Sequence, residues 1–391
     1  MIKPIAYLLL LSCCLACHTQ NTEPLILVDM HNDVLSGTVM QGLDISEKLD
    51  VGNTDLPRLK EGGVNLQIFS VFASQEFTGR EAYAMVQSQI DSLYAIAQRN
   101  SDRLELVHSL EQAKRSIAQG KIAGMIGVEG GHLLGDDLKH LEELKRQGVV
   151  YITLTWNNSN AFASSAADEA NPDWQGVKGL SDAGKKLIER MNTLGIALDL
   201  AHVGKQAFFE ALNFSRKPVL VSHANAGVLA DVPRNLSDAQ LKAVAENGGV
   251  IGVSFYSGFL DADYSSSIQA AMEKEPLLVD SLKTQGYATH DRLMAAFLKA
   301  RPLLADSLQV PMATLLDHID HMVQVAGIDH VGLGGDYYGL TTIPFPKGME
   351  DVRGYPLLID ALKQRGYAGD DLRKLLGGNV MRVLKAQETV K

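Results

Sequence analysis

Beyond residue 17 the chain has no cysteine; its three, Cys13, Cys14 and Cys17, all precede the long domain that follows. A mature domain without cysteine can hold no internal disulfide, no thiol nucleophile and no thiolate metal site. Dense Lys/Arg runs are lacking as well, and the formal net charge is −10 with a sequence pI near 5.6. That balance argues against nucleic acid as a partner and against a polybasic contact with a membrane. A small polar or charged solute suits it better. The one conspicuous apolar run near the start, residues 5–11, is too short to span a bilayer comfortably.

That run reads instead as an export signal. Lys3 precedes it and Ser12-Cys13-Cys14-Leu15-Ala16-Cys17 follows, giving a charged start, an apolar core and a small-residue exit. Cysteines at the exit are similar to those of a bacterial lipoprotein signal, with Cys17 the expected lipidated residue and Cys13 and Cys14 the alternatives. A plain cleaved signal with incidental cysteines is the competing reading. The expected organisation is a signal over 1–17, a polar tether over 18–24 and a single domain over 25–391. The expected location is the periplasm or, by lipid anchor only, the outer membrane of a bacterium.

The 391 residues, 46% of them hydrophobic, can bury a large core, and either one big α/β domain or two smaller ones would fit. Candidate strands recur at 25–30, 64–72, 123–128, 149–155, 196–201, 218–222, 250–254 and 330–334. Several are nearly continuous apolar runs, as parallel strands covered on both faces should be. Amphipathic stretches such as 81–98, 136–147, 182–194 and 238–246 separate them. Eight strands alternating with helices describe a TIM-type (β/α)8 barrel, a doubly wound open sheet being the alternative. Residues 256–314 are too many for a simple crossover and carry helical patterns, so a helical insertion is expected after the seventh strand. It could form a lid or a homodimer contact.

Polar residues stand just past the ends of these runs. His31 and Asp33 close the first as a His-x-Asp pair, whose side chains share one side of an extended strand. Glu129 ends Met125-Ile126-Gly127-Val128 and is backed by Gly130-Gly131; His202, His223 and Asp336 close three further runs. Any one of them could be a satisfied structural residue. Together, at one end of a barrel, imidazole and carboxylate suit zinc, and five ligands exceed what a single catalytic zinc would use. His318 and His321, three apart on a predicted helix, read as packing or hydrogen-bonding residues, and His132 as a possible partner behind Glu129.

These stretches, with Gly127-Val128-Glu129-Gly130-Gly131-His132, Tyr151-Ile152-Thr153-Leu154-Thr155, Ser222-His223, His318-Ile319-Asp320-His321 and Gly348-Met349-Glu350-Asp351-Val352, resemble the membrane (renal) dipeptidase family of dinuclear zinc peptidases. The resemblance implies two zinc ions per chain, one on His31 and Asp33, the other on His202 and His223, with Glu129 bridging. It implies a dipeptide substrate whose peptide bond is attacked by a hydroxide bridging the metals. Asp336 and Glu129 are then the catalytic acids, and Arg234, in Pro233-Arg234-Asn235, contacts the substrate carboxylate. The chain departs from the family where a histidine is familiar after Thr-Leu-Thr: here stand Trp156 and Asn157, expected as a pocket wall and as a neutral N–H donor to substrate. Tyr338 replaces a familiar second acid. These departures keep two alternatives open, a hydrolase of another small amide such as an N-acyl amino acid and a non-catalytic metal-stabilised binding protein.

Overall fold

The computed structural model describes residues 25–135, 137–287, 290–337 and 345–388. The signal, the tether and Tyr338 therefore lie outside the described residues. Among the described residues nine strands form one sheet: β1 Val28–Asn32, β2 Leu66–Val71, β3 Leu104–Leu106, β4 Ile122–Val128, β5 Val149–Thr153, β6 Ala197–Asp199, β7 Leu220–Ala224, β8 Val250–Val253 and β9 Val331–Leu333. Every pairing is parallel, in the order β1-β2-β4-β5-β6-β7-β8-β9. The ring closes just past β9, where Asp336 N donates to His31 O (3.0 Å) and Asp33 N to Tyr337 O (2.9 Å). An open doubly wound sheet would leave two free edges, so the barrel is the fold.

All eight predicted strands are present, several of them shorter than their apolar runs. The ninth, β3, pairs on the outside of the path with β4 and was not expected. Three residues are too few to show a period. Helices cover the strands where amphipathic stretches were read, among them Gly79–Arg99, Asp182–Leu194 and Asp238–Asn247. The last opens on a capping box: Ser237 accepts from Gln240 N while the Gln240 side chain accepts from Ser237 N. No helix among the described residues is long and apolar enough to cross a membrane.

After β8, the seventh strand of the barrel path, the chain leaves through helices Ser257–Leu260, Asp263–Glu273, Pro276–Thr284, His290–Ala300 and Pro302–Ser307, and returns along Met312–Ala326. This excursion has its own buried cluster, including Tyr264, Ile268, Met272, Leu282 and Phe297, apart from the clusters of the barrel. It also contains a duplicated pattern. Pro276-Leu277-Leu278-Val279-Asp280-Ser281-Leu282 and Pro302-Leu303-Leu304-Ala305-Asp306-Ser307-Leu308 each open a helix with proline in its first turn. Both expose the first leucine, Leu277 at 86% and Leu303 at 84%. Glu275 and Arg301, immediately before the two prolines, form a two-pronged ion pair, with Arg301 Nε 2.8 Å from Glu275 Oε1.

Candidate active site

Six polar side chains converge at the carboxyl ends of the barrel strands: His31 and Asp33 from β1, Glu129 after β4, His202 after β6, His223 on β7 and Asp336 after β9. All are buried. The ladders slip in register beside three of them, between Asp29 and Asn32, between Ile126 and Gly127, and between Val221 and Ala224. Such irregularities re-aim side chains at strand ends. His202 (φ 63°) and Asp336 (φ 60°) are the only non-glycine described residues in the left-handed region, a conformation that L-residues hold only when surroundings impose it. Behind Glu129 the turn requires Gly130 at φ 113°, where a Cβ would strike the His132 ring.

The distances divide the cluster around Glu129. Its Oε1 lies 2.8 Å from His202 Nε2 and 3.4 Å from His223 Nε2, while its Oε2 lies 3.6 Å from His31 Nε2. Asp33 Oδ2 is 3.5 Å from the same His31 nitrogen. One carboxylate thus faces two separate sets of donors.

Hydrogen bonds on the far side of each ring assign its proton. Tyr151 OH donates to Met30 O (3.2 Å), so toward His31 Nδ1 (2.9 Å) the phenol oxygen accepts. Ser222 Oγ donates to Asp199 Oδ2 (2.7 Å), a carboxylate that only accepts, so the hydroxyl accepts from His223 Nδ1 (2.9 Å). Asn157 Oδ1 accepts from His202 Nδ1 (2.9 Å). With Nδ1 protonated in all three rings, the Nε2 lone pairs point inward. His202 Nε2 and His223 Nε2 stand 3.0 Å apart, an arrangement of two acceptors that calls for a cation between or beside them. His31 Nε2 and Asp33 Oδ1 make no hydrogen bond to any described residue, and a buried polar atom left so costs about 1–3 kcal/mol. The donor set therefore fits a metal centre of N and O ligands.

The electrostatics agree. Burial opposes charge on His31, but Tyr151, Asp33 and Glu129 outweigh it and raise its pKa well above the ordinary imidazole value. Burial also opposes charge on Glu129, yet His31 and His202 hold its carboxyl well below the usual range. Burial and the Arg234 guanidinium push His202 down to about 4, and burial with His31 holds His223 well below the ordinary imidazole value. Asp336 is raised well above the carboxylate range by burial, with Asp33 and Glu129 adding to it; Ser254 Oγ donates to its Oδ2 (3.1 Å).

Beside the cluster, Arg234 is buried, donates from Nη2 to His223 O (3.1 Å) and lies over the Phe259 ring at 5.0 Å. A cleft of about 640 Å³ has His202 and Arg234 in its wall. Trp156 packs on Phe72 with ring centroids 4.8 Å apart and lies 6.3 Å from His202. The Asn157 carboxamide oxygen orients His202, a role the sequence did not suggest, while its NH2 group is a separate donor. His132 Nε2 meets Ala73 O (3.1 Å), His318 bonds Ala226 N and Leu260 O, and His321 bonds Asp238, so none of these joins the cluster. Sequence reasoning missed Tyr151, Asp199, Ser222 and Ser254. The available signal was an acid inside an apolar run, Leu198-Asp199-Leu200.

Fold and site together define a parallel barrel with a metal-binding constellation at the end where such barrels carry out their chemistry. Residues 19–391 match the family described as membrane dipeptidase (peptidase family M19), and the chain belongs to that family. Dipeptidase 3 of Homo sapiens is 31% identical over 371 residues, covering 93% of this chain. The match spans 66% of the human protein, just under two thirds of its length. Among solved structures, a probable dipeptidase from Pseudomonas aeruginosa superposes with a TM-score of 0.77 at 25% identity, covering 94% of this chain and 96% of that one. A dipeptidase described as a metallopeptidase of family M19 gives 0.75 at 25% identity, over 93% and 99%.

Proposed function

We propose that this chain is a zinc-dependent dipeptidase that uses two metal ions to hydrolyse the peptide bond of dipeptides. The observation that carries the reading is the division around Glu129, whose two oxygens face two sets of inward-pointing donors. His31 and Asp33 would hold one ion, His202 and His223 the other, and Glu129 both. A zinc pair supplies a water acidic enough to ionise near neutral pH and a Lewis acid for the carbonyl. Asp336 has Oδ2 engaged by Ser254 and uses Oδ1 to take the proton of the attacking water and return it to the leaving amine. Arg234 anchors the substrate's terminal carboxylate by a charge-assisted, two-pronged bond, which limits substrates to very short peptides. Trp156 and Phe72 wall the pocket for a substrate side chain.

A second reading is hydrolysis of N-acyl amino acids, favoured by Trp156 in the family's histidine position and by the turn of Asn157 toward His202. A release assay separates the two, run on chelator-stripped and zinc-reloaded protein with matched dipeptides and N-acyl amino acids. Dipeptides turned over fastest, and only after reloading, support the dipeptidase. A preference for N-acyl substrates supports the second reading, and zinc binding without turnover rejects both in favour of a binding protein. We further infer export and lipid attachment at Cys17, tested by fatty-acid labelling of wild type against Cys17→Ser. Equal labelling moves the lipid to Cys13 or Cys14, and none in either leaves a soluble exported enzyme.

A further inference from the structure

We propose that Asp199 is a positioning residue that sets the His202/His223 half of the metal site without touching a metal, an inference that rests on the two-metal reading above. The Asp199 carboxylate is fully buried at the end of β6. It accepts four hydrogen bonds: Thr153 Oγ1 (2.6 Å), Ser222 Oγ (2.7 Å), Ser222 N (2.8 Å) and Ala201 N (3.3 Å). Four donors on two oxygens leave no place for a proton of its own, so the group acts as a pure acceptor. Two consequences follow along the chain. Through Ser222 Oγ, whose single proton it takes, Asp199 makes the hydroxyl accept from His223 Nδ1, which bares the Nε2 lone pair toward Glu129. Through Ala201 N it pins the residue before His202, where the backbone turns left-handed at φ 63°. One carboxylate therefore orients both imidazoles of this half.

Asp199→Asn tests this with little change of shape. Both hydroxyls face Oδ2 and both backbone amides face Oδ1, so the carboxamide keeps its oxygen toward the amides and turns its NH2 toward Thr153 and Ser222; Ser222 can then donate to His223 Nδ1 and the ring proton moves to Nε2, into the site. In nitrogen NMR of the metal-free protein, His223 is expected to change from the Nδ1–H to the Nε2–H tautomer. In chelator-competed zinc titration one equivalent is expected to bind as in wild type and the other about 10–100-fold more weakly. Thr153→Val is the control: it removes an equally short bond to the same carboxylate that leads to no imidazole, and should lower thermal stability while keeping the tautomer and both zinc equivalents. Ser222→Ala, which keeps the carboxylate and removes the relay, should leave His223 a tautomer mixture and serves if Asp199→Asn does not fold. An unchanged tautomer and unchanged second affinity in Asp199→Asn would overturn the proposal, as would equal loss of zinc in Thr153→Val. If wild type fails to bind two equivalents, the two-metal reading fails instead, and the tautomer of the metal-free protein still decides the role of Asp199.

Discussion

His31 and His223 lie with ring centroids 3.9 Å apart, yet they are fastened by opposite means. Behind His31 stands a neutral phenol, Tyr151, which donates its hydrogen bond to a backbone carbonyl; behind His223 stands a hydroxyl backed by the Asp199 carboxylate. The half-site that leans on the phenol has a carboxylate in front, Asp33, whereas the other has none of its own and shares Glu129. Counting Asp199, each half has one private carboxylate and one shared, placed in direct reach on one side and one hydroxyl away on the other. Charge that would balance a divalent ion can thus be set behind a ligand as well as beside it.

Glu129→Gln strikes both halves at once and should have the largest effect. Both zinc equivalents should weaken, and dipeptide hydrolysis should fall at least as far as the about thousandfold seen on losing one key stabiliser of developing charge. A variant with two tightly held metals and normal turnover would dissolve the comparison, since the halves would not share a carboxylate.

Arg234 donates to the carbonyl of His223, and as the proposed carboxylate anchor it would place the substrate's carboxylate end at that half. Arg234→Met should lower kcat/KM on dipeptides by roughly 10–100-fold, matching about 1.5–3 kcal/mol for a charged hydrogen bond, mainly through KM. Rates on the C-terminal amides should stay as they were. Wild-type enzyme that prefers the amides would refute the anchor.

Tyr151→Phe sharpens the contrast from the other side. His31 loses its partner, and zinc affinity of one equivalent should drop by about tenfold, the lower end of what such supports contribute. The His223 tautomer should be untouched; if it shifts, the two supports are not independent.

Trp156→His should matter least for rate. If the residue is a wall, the order of preference among dipeptides changes and the best rate moves by less than about tenfold. A rise of about a hundredfold on every dipeptide, without reordering, would mean that the wild-type site lacks an oxyanion donor, and would favour the N-acyl reading.

The residues at strand ends were legible because parallel barrel strands are near-continuous apolar runs, against which a terminal His, Asp or Glu stands out. His31, Asp33, Glu129, His202, His223 and Asp336 all share this signature. The supports were not legible, since Tyr151 reaches His31 and Asp199 reaches Ser222 from other strands far along the chain, and a polar side chain inside a run looks the same whether it orients a ligand or merely packs. The left-handed turns at His202 and Asp336 carry no glycine to announce them. The bond from His202 to the Asn157 carboxamide oxygen was not legible either, because that ring nitrogen, after the next barrel strand, is brought there only by the closed barrel.

The helical excursion leaves β8 and returns to β9, strands that pair directly through Ile251–Val331, Gly252–Gly332 and Val253–Leu333. Its two ends are thus held side by side by a ladder to which it contributes nothing; the apolar residues of its helices from Asp263 to Ser307 pack largely on one another, while the returning helix Met312–Ala326 packs on the barrel. Such a unit can open and reclose as a body of its own, at a free energy below that of global unfolding. In hydrogen exchange the amides of helices Asp263–Glu273, Pro276–Thr284 and Pro302–Ser307 should be released together and ahead of those of β8, β9 and Met312–Ala326, so the barrel can keep its polar end intact while that segment breathes.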